Sequence, residues 1–323
     1  MKYTNLHQVF LDQKNLVGFR NFINAWVYSD TGKAFVVDPG PLSTIPVLLE
    51  ELHQRRVKHL DYILLTHIHI DHAGGTGELV RHFPHAQVIC HPAGIKHIHE
   101  PQALWEGSLK VLGQVAKEYG EIVPVPRENT LLQSKLEDRS KLDDLEIEVL
   151  HTPGHAAHHL SFMFGDLLIG GEVAGVCCET PAGNYMRPAT PPRFDLDIAL
   201  NSLHKVTQRT PDKMIFAHSS MQDNAMHWLK CAEQQLHVWV KGIIEHMEAG
   251  IEGSGEGEVL FTAMYTWLLE HDSLFARIEA LPADMQQRER YFFRNSITGM
   301  SEYVARIDKT RRREIVARAG SHV

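Results

Sequence analysis

Several features are scarce in this chain of 323 residues, and each scarcity narrows what the chain can be. No apolar run reaches the roughly 20 residues that a membrane-spanning helix requires. The N-terminal stretch MKYTNLHQVFL has neither the apolar core nor the small-residue cleavage site of a secretory signal. Cysteine occurs at positions 90, 177, 178 and 231 only, in no spaced framework, and the adjacent Cys177 and Cys178 are poor partners for each other. Together these absences lead to the expectation of a reduced, cytoplasmic protein without membrane contact. Positive charge is not in excess either. The formal net charge is −8, which argues against a general nucleic-acid binder.

What is present is more telling. A hydrophobic content of 43% is ample for a packed core, and the length suits one large domain with a smaller one, or two comparable ones. Histidine occurs 22 times. The densest chemistry lies in residues 66–75, THIHIDHAGG, which packs His67, His69, Asp71 and His72 into six positions. The preceding LDYILLT (60–66) has the length and composition of a buried strand. Extending that strand places His67 and His69 on one side, because strand side chains alternate. Ala73-Gly74-Gly75 then permits a tight fold into a helix, with Asp71 and His72 on the turn. Two imidazoles can hold one ion, and a carboxylate with a third imidazole a second. Such ligands suit Zn, Fe or Mn.

THIHIDHAGG resembles the signature of the metallo-β-lactamase superfamily. The resemblance implies an αββα sandwich with the site at one edge of its two sheets; the sequence alone reads as mixed α/β. It also implies further ligands. In HTPGHAAHH, His155 matches the third imidazole of the first metal, on a turn fixed by Pro153 and Gly154. His218, ending the strand MIFAH, matches a ligand of the second metal. Where the superfamily has a Gly-Asp whose aspartate bridges both ions, this chain has Gly171-Glu172, with the same charge and one methylene more. Asp38, in DPG, matches a residue beneath the site that orients a ligand. The expected set is therefore His67, His69 and His155 on one ion, Asp71, His72 and His218 on the other, and Glu172 between them. The ions are two divalent cations, zinc first, with Fe or Mn as alternatives.

Around these motifs, AWVYSDTGKAFVVDPG reads as two strands and a turn, and 44–58 as an amphipathic helix capped by Thr44. With the next strand this makes a βαβ unit. His97 and His99 lack partners at metal spacing and read as surface or pocket-wall residues; Trp105 and Tyr119 read as core first, with pocket lining as the alternative. Residues 121–150 read as strands broken by Pro124 and Pro126, with KLEDRSKLDD (135–144) as a solvated turn. LSFMFGDLLIGGEVAGV reads as a hairpin turning at Gly165-Asp166. The Pro- and Gly-rich stretch 177–196 reads as a loop bordering the site, with Tyr185, Met186 and Arg187 as pocket-wall candidates. Residues 195–209 suit a helix capped by Asp195. His159 is expected in a structural hydrogen bond.

The division falls at residue 224: a metal-binding catalytic domain (1–224) and a helical domain (225–323), serving as a lid or a dimer contact. GIEGSGEG (250–257) reads as a linker within it, and the basic end RIDKTRRREIVAR as a solvated helix face.

Metal binding lowers the pKa of water from ~15.7 to near ~7, so hydroxide becomes available for attack, with Asp71 as the residue that holds it in position. The resemblance points to hydrolysis of a small carboxylic ester, lactone or thioester. A phosphodiesterase of the same superfamily is the enzymatic alternative, and a weakly active metal-binding sensor is the non-enzymatic one.

Overall fold

The computed structural model describes residue 3 and residues 5–30, 32–131, 141–142, 145–218, 221–251 and 258–319. Most of the expected turn at 135–144, Thr31 of the first hairpin turn, Ser219-Ser220 and most of the expected linker at 250–257 lie outside the described residues.

Strands β1 (Leu6–Phe10), β2 (Asn24–Asp30) and β3 (Lys33–Val37) form an antiparallel run. Helix α1 (Ile45–Gln54) crosses to β4 (Tyr62–Leu64), and α2 (Ile70–Ala73) with α3 (Thr76–His82) leads to β5 (Gln87–Ile89). β3, β4 and β5 are parallel, which gives a first sheet of order β1-β2-β3-β4-β5. Helices α4 (Pro92–His99), α5 (Gln102–Leu112) and α6 (Gln114–Tyr119) precede the second sheet. That sheet contains β6 (Lys141–Leu142), β7 (Ile147–His151), β8 (Leu160–Phe164) and β9 (Leu167–Gly171). The chain then makes a separate hairpin of β10 (Val176–Thr180) and β11 (Gly183–Arg187), followed by α7 (Leu196–Thr207). It rejoins the sheet as β12 (Lys213–Phe216) and β13 (Met221–Asp223), for an order β13-β12-β9-β8-β7-β6. Beyond these lie α8 (Ala225–Glu248), α9 (Glu258–His271), a 3-10 segment Phe275–Ala280, α10 (Ala283–Arg306) and α11 (Lys309–Ala319).

Period-two alternation sorts the strand residues into layers. Trp26, Tyr28, Phe35 and Val37 of the first sheet meet Ile147, Val149, Phe162, Phe164 and Ile169 of the second in one core between the sheets. Their neighbours Ala25, Val27, Ala34 and Val36, and Leu168, Met214 and Phe216, join a second core with α1, α3, α7 and α8. This is the αββα sandwich. Each fully buried large side chain, Phe35 or Phe162 for example, contributes about 1.5–3 kcal/mol. The second core runs without a break into Phe275, Phe293 and Ile315, so the C-terminal helices pack on the sandwich as part of one apolar mass.

Several local expectations are corrected. β4 stops at Leu64, short of the histidines. Thr44 does not cap α1 with its side chain; its hydroxyl donates to Pro41 O at 3.0 Å, stabilising the 3-10 turn before the helix. Asp195 does cap α7, accepting from Asp197 N and Ile198 N. Among the described residues of 121–131 the only pairing is a bridge of Thr130 to Val88, since the prolines remove ladder donors. Much of the expected loop 177–196 is the β10–β11 hairpin. In the expected helical C-terminal region, α10 and α11 are parted at Ile307-Asp308.

Candidate metal centre

After β4 the chain bends at Thr66 and enters α2 through an extended His69 (φ −61°, ψ 150°), so strict alternation ends with the strand. Leu65 and Ile68 enter the core, while the rings of His67 and His69 meet with centroids 4.6 Å apart. The one-turn helix α2 follows, with the amides of His72 and Ala73 donating to His69 O. It is anchored to the loop after β3: Gly40 N donates to His72 O, and Gly75 N to Gly40 O. A Cβ at Gly75 would stand 2.4 Å from Ile45 Cδ1, so only glycine permits this approach. The remaining residues come from the C-terminal ends of second-sheet strands. His155 follows β7, Glu172 follows β9 directly, and His218 lies two residues past β12. Gly171 adopts φ 59°, and a Cβ there would reach within 2.5 Å of His159 Nε2.

These side chains form two adjoining groups, in each of which the ligand atoms lie within 4.8 Å of one another: His67, His69, His155 and Glu172, and Asp71, His72 and His218. Glu172 lies between them. Its Oε2 is 2.9 Å from His155 Nε2, 3.3 Å from His67 Nε2 and 3.8 Å from His72 Nε2, and its Oε1 is 3.6 Å from His218 Nε2. Asp71 Oδ2 is 3.3 Å from His72 Nε2 and 3.7 Å from His218 Nε2.

The outer ring nitrogens explain why the inner ones are available. His155 Nδ1 donates to Ala189 O at 3.0 Å and His218 Nδ1 to Phe22 O at 3.1 Å. Thr66 Oγ1 donates to Asp38 Oδ2 at 2.6 Å and therefore accepts from His67 Nδ1 at 3.0 Å. His72 Nδ1 lies 3.3 Å from the same Asp38 oxygen. Protons placed outward leave Nε2 of all four rings facing the centre. Asp38 does this from a left-handed backbone (φ 45°), a conformation of order 1 kcal/mol above the ordinary one. Its bonds to Thr66 N and Oγ1 offset that cost.

Electrostatics agree with this layout. Burial pushes the Glu172 carboxyl up, but His155, His67 and His218 outweigh it and hold it well below the usual carboxylate range. Burial likewise opposes, and His72 and His218 prevail over it, in lowering Asp71. Burial and neighbouring imidazoles push His67 down strongly and His69 down to about 3. His72 goes the other way: Asp71 and Asp38 overcome burial and raise it. A proton there supplies positive charge that ionised carboxylates demand, and a cation would supply it equally. The buried Nε2 atoms of His67 and His72 make no hydrogen bond. Inward lone pairs without partners, beside two ionised carboxylates, fit a divalent metal.

A cavity opens beside the cluster, lined by His69, Asp71, His155, Glu172 and His218 among others. Of the three pocket-wall candidates only Arg187 lines it. Tyr185 and Met186 are corrected to core residues. Tyr185 packs against Phe275, and Met186 O accepts from Gln235 of α8, because the hairpin lies beneath the C-terminal helices. His97 and Tyr119 line the cavity, whereas His99 bonds Val125 O. His159 accepts from Glu172 N at 3.0 Å and contacts Thr152 Oγ1 at 2.9 Å, holding Glu172 from behind. Sequence reasoning missed Phe22, which stacks on His218 with centroids 4.1 Å apart, and Arg288, whose guanidinium lies 4.0 Å from the Phe22 ring centroid. It also missed Glu289, 2.6 Å from Arg187 and 2.8 Å from Arg288. No local spacing signals any of these.

Comparison with known proteins agrees with the geometry. A family model described as the metallo-beta-lactamase superfamily matches residues 18–218, more than half of the chain. A metallo-beta-lactamase fold-containing protein of Sulfurisphaera tokodaii is 29% identical over 193 residues, covering 57% of this chain and 72% of that protein. Hydroxyacylglutathione hydrolase 1 of Vibrio vulnificus is 26% identical over 215 residues, 66% of each chain, so this chain falls just short of two thirds of that relative's length. The crystal structure of an archaeal metallo-beta-lactamase superfamily protein from Sulfolobus tokodaii superposes with a TM-score of 0.63 at 21% identity. It covers 92% of this chain and 98% of that one, more than residues 1–224 alone can supply, so the shared fold extends into the C-terminal helices.

Proposed function

The chain belongs to the metallo-beta-lactamase superfamily, and from that premise we propose that it hydrolyses a small carboxylic ester, lactone or thioester with two divalent cations, zinc first among them. The observation that carries this is the convergence of seven ligand side chains into two adjoining groups beside an open cavity. The hydroxyacylglutathione hydrolase relative supports a thioester among the candidate bonds.

His67, His69 and His155 would hold one cation, Asp71, His72 and His218 the other, with Glu172 between. Cations bound there supply an activated water and polarise the carbonyl under attack. The chain's own part is orientation. Asp38, Thr66, Ala189 O and Phe22 O fix the rings, so little reorganisation accompanies the reaction. Asp71 stays ionised and lines the cavity, so its carboxylate is placed to accept a hydrogen bond from the attacking water and hold it toward the substrate. A cysteine nucleophile is disfavoured, since Cys177 is fully buried and burial pushes the Cys178 thiol up to about 12.

Elemental analysis of freshly purified protein should find two equivalents of divalent metal, and a panel of esters, lactones and thioesters should reveal turnover. Turnover of bis-nitrophenyl phosphate alone would replace this function with a phosphodiesterase. One metal or none, with every panel member inert, would leave a metal-binding sensor.

A further inference from the structure

The cavity beside the cluster has a volume of about 580 Å3, inside the ~300–1,000 Å3 typical of small-ligand pockets. Its walls above the metal centre are two helices. On α5, residues 103, 104, 107, 108, 111 and 112 all face it, a spacing that marks one stripe of a helix. Helices normally press such a stripe into a core. Yet α5 has no fully buried residue, and Val111 is 64% exposed. A second wall is α10, which brings Phe292, stacked on Phe22, together with Asn295 and Ser296. Charge is the second observation. Among the described residues that line the cavity, Arg187 is the single arginine or lysine, and its Nε is already 2.6 Å from Glu289 Oε2. Outside the metal centre a phosphate or carboxylate on the bound group would find that paired arginine, the imidazoles of His97 and His158, and neutral groups such as Ser108 and Asn295, but no unpaired lysine or arginine.

We propose that the substrate's acyl half is an uncharged, hydrocarbon-rich group of medium length, lodged between α5 and α10. This rests on the hydrolase function above and sharpens it. Burial in such walls raises kcat/KM by up to about fourfold per methylene, until the cavity is filled. Gly107 offers the means to fill it, because a Cβ built there meets no atom within 4 Å. An indole at this position would extend into the cavity from an intact helix.

The test uses the purified holoprotein and thioesters of one neutral thiol, N-acetylcysteamine, with acyl chains of two to eight carbons. The octanoyl-to-acetyl ratio of kcat/KM should be at least about tenfold, and Gly107→Trp should cut that ratio about tenfold. A flat or falling series with the acetyl thioester still cleaved would overturn the acyl assignment while leaving the hydrolase standing. So would preference for a short hydroxyacyl thioester of glutathione over the octanoyl thioester. If no thioester, ester or lactone is cleaved, the hydrolase function falls, and calorimetric titration with octanamide decides the cavity's occupant. Binding that Gly107→Trp abolishes supports an apolar ligand; no binding to the wild-type protein overturns it.

Discussion

The two groups of ligands stand side by side yet are supported differently. His67 is held from within the sandwich by Thr66, and His155 by the carbonyl of Ala189, whose neighbours Pro188 and Thr190 are bonded to Ser296 of α10. Glu172, beside them, is held by His159, which leans in turn on Thr152 and Ser161. In the group of Asp71, His72 and His218, His72 leans on Asp38 and the loop after β3, whereas His218 leans on the far ends of the chain. His218 bonds Phe22 O, stacks on the Phe22 ring, and that ring lies under Arg288 of α10. Arg288 also donates to Gly18 O, tying the N-terminal loop to the helix. The first group thus rests mainly on strand ends, and α10 reaches it through the loop around Ala189. The other depends on closure between residues 18–22 and a helix some 270 positions later. A metal site can therefore be strong in its motif and still conditional on distant packing in one half.

The sharpest way to break this comparison is to remove what the halves share. Glu172→Gln keeps the shape of the side chain and removes its charge. Supporting residues around metal sites already cost 10–100-fold when lost, so a shared ligand should cost at least about a hundredfold in rate, with metal content falling below two equivalents. Unchanged occupancy would remove Glu172 from the centre and dissolve the link between the halves.

A smaller effect is expected at the docking of α10. Burial raises the Glu289 carboxyl, but Arg187 and Arg288 hold it down at about 2, from an ordinary 4.5. A depressed carboxylate contributes stability that is fully present above its ordinary value and lost as pH falls toward its folded value. Glu289→Gln leaves two buried guanidinium groups facing a neutral amide, at a cost of about 3–5 kcal/mol near pH 7. Urea unfolding should show this gap at neutral pH and show it closing as pH falls from 4.5 toward about 2. The cation proposed beside His218 should also bind more weakly, because Arg288 then holds Phe22 less firmly. Equal midpoints for variant and wild type at pH 7 would mean that α10 does not support that half.

Legibility in the sequence follows the same division. His67 to His72 stand out because their spacing is local and a strand signal precedes them. His155 sits on a turn that Pro153 and Gly154 announce. Alternation in the strands gives mixed α/β and no order of layers; the αββα layering is what the resemblance implies. Arg288 and Glu289 sit in QQRERYFFR, which carries no local sign of their burial, because their partners Phe22 and Arg187 are more than 100 positions away. Tyr185 and Met186 stand among Pro and Gly that read as a loop. Their burial arises from α8 and the 3-10 segment that cover the hairpin, and no window on the sequence contains both sides of that contact.

The finest test sets two mild variants against each other. Thr152→Val leaves His159 Nδ1–H buried without its acceptor, a cost of about 1–3 kcal/mol. Because His159 holds the backbone of Glu172, which lies between the groups, both cation affinities should weaken together. Phe22→Leu removes an aromatic stack worth about 0.5–1.5 kcal/mol but keeps the carbonyl that accepts from His218. It should therefore weaken one cation only, by roughly threefold to tenfold, and leave the other unchanged. Competitive titration against a chromophoric chelator resolves the two steps. If Phe22→Leu shifted both by the same factor, support for the second group would not be separable from the first, and the unequal dependence on distant packing would be wrong.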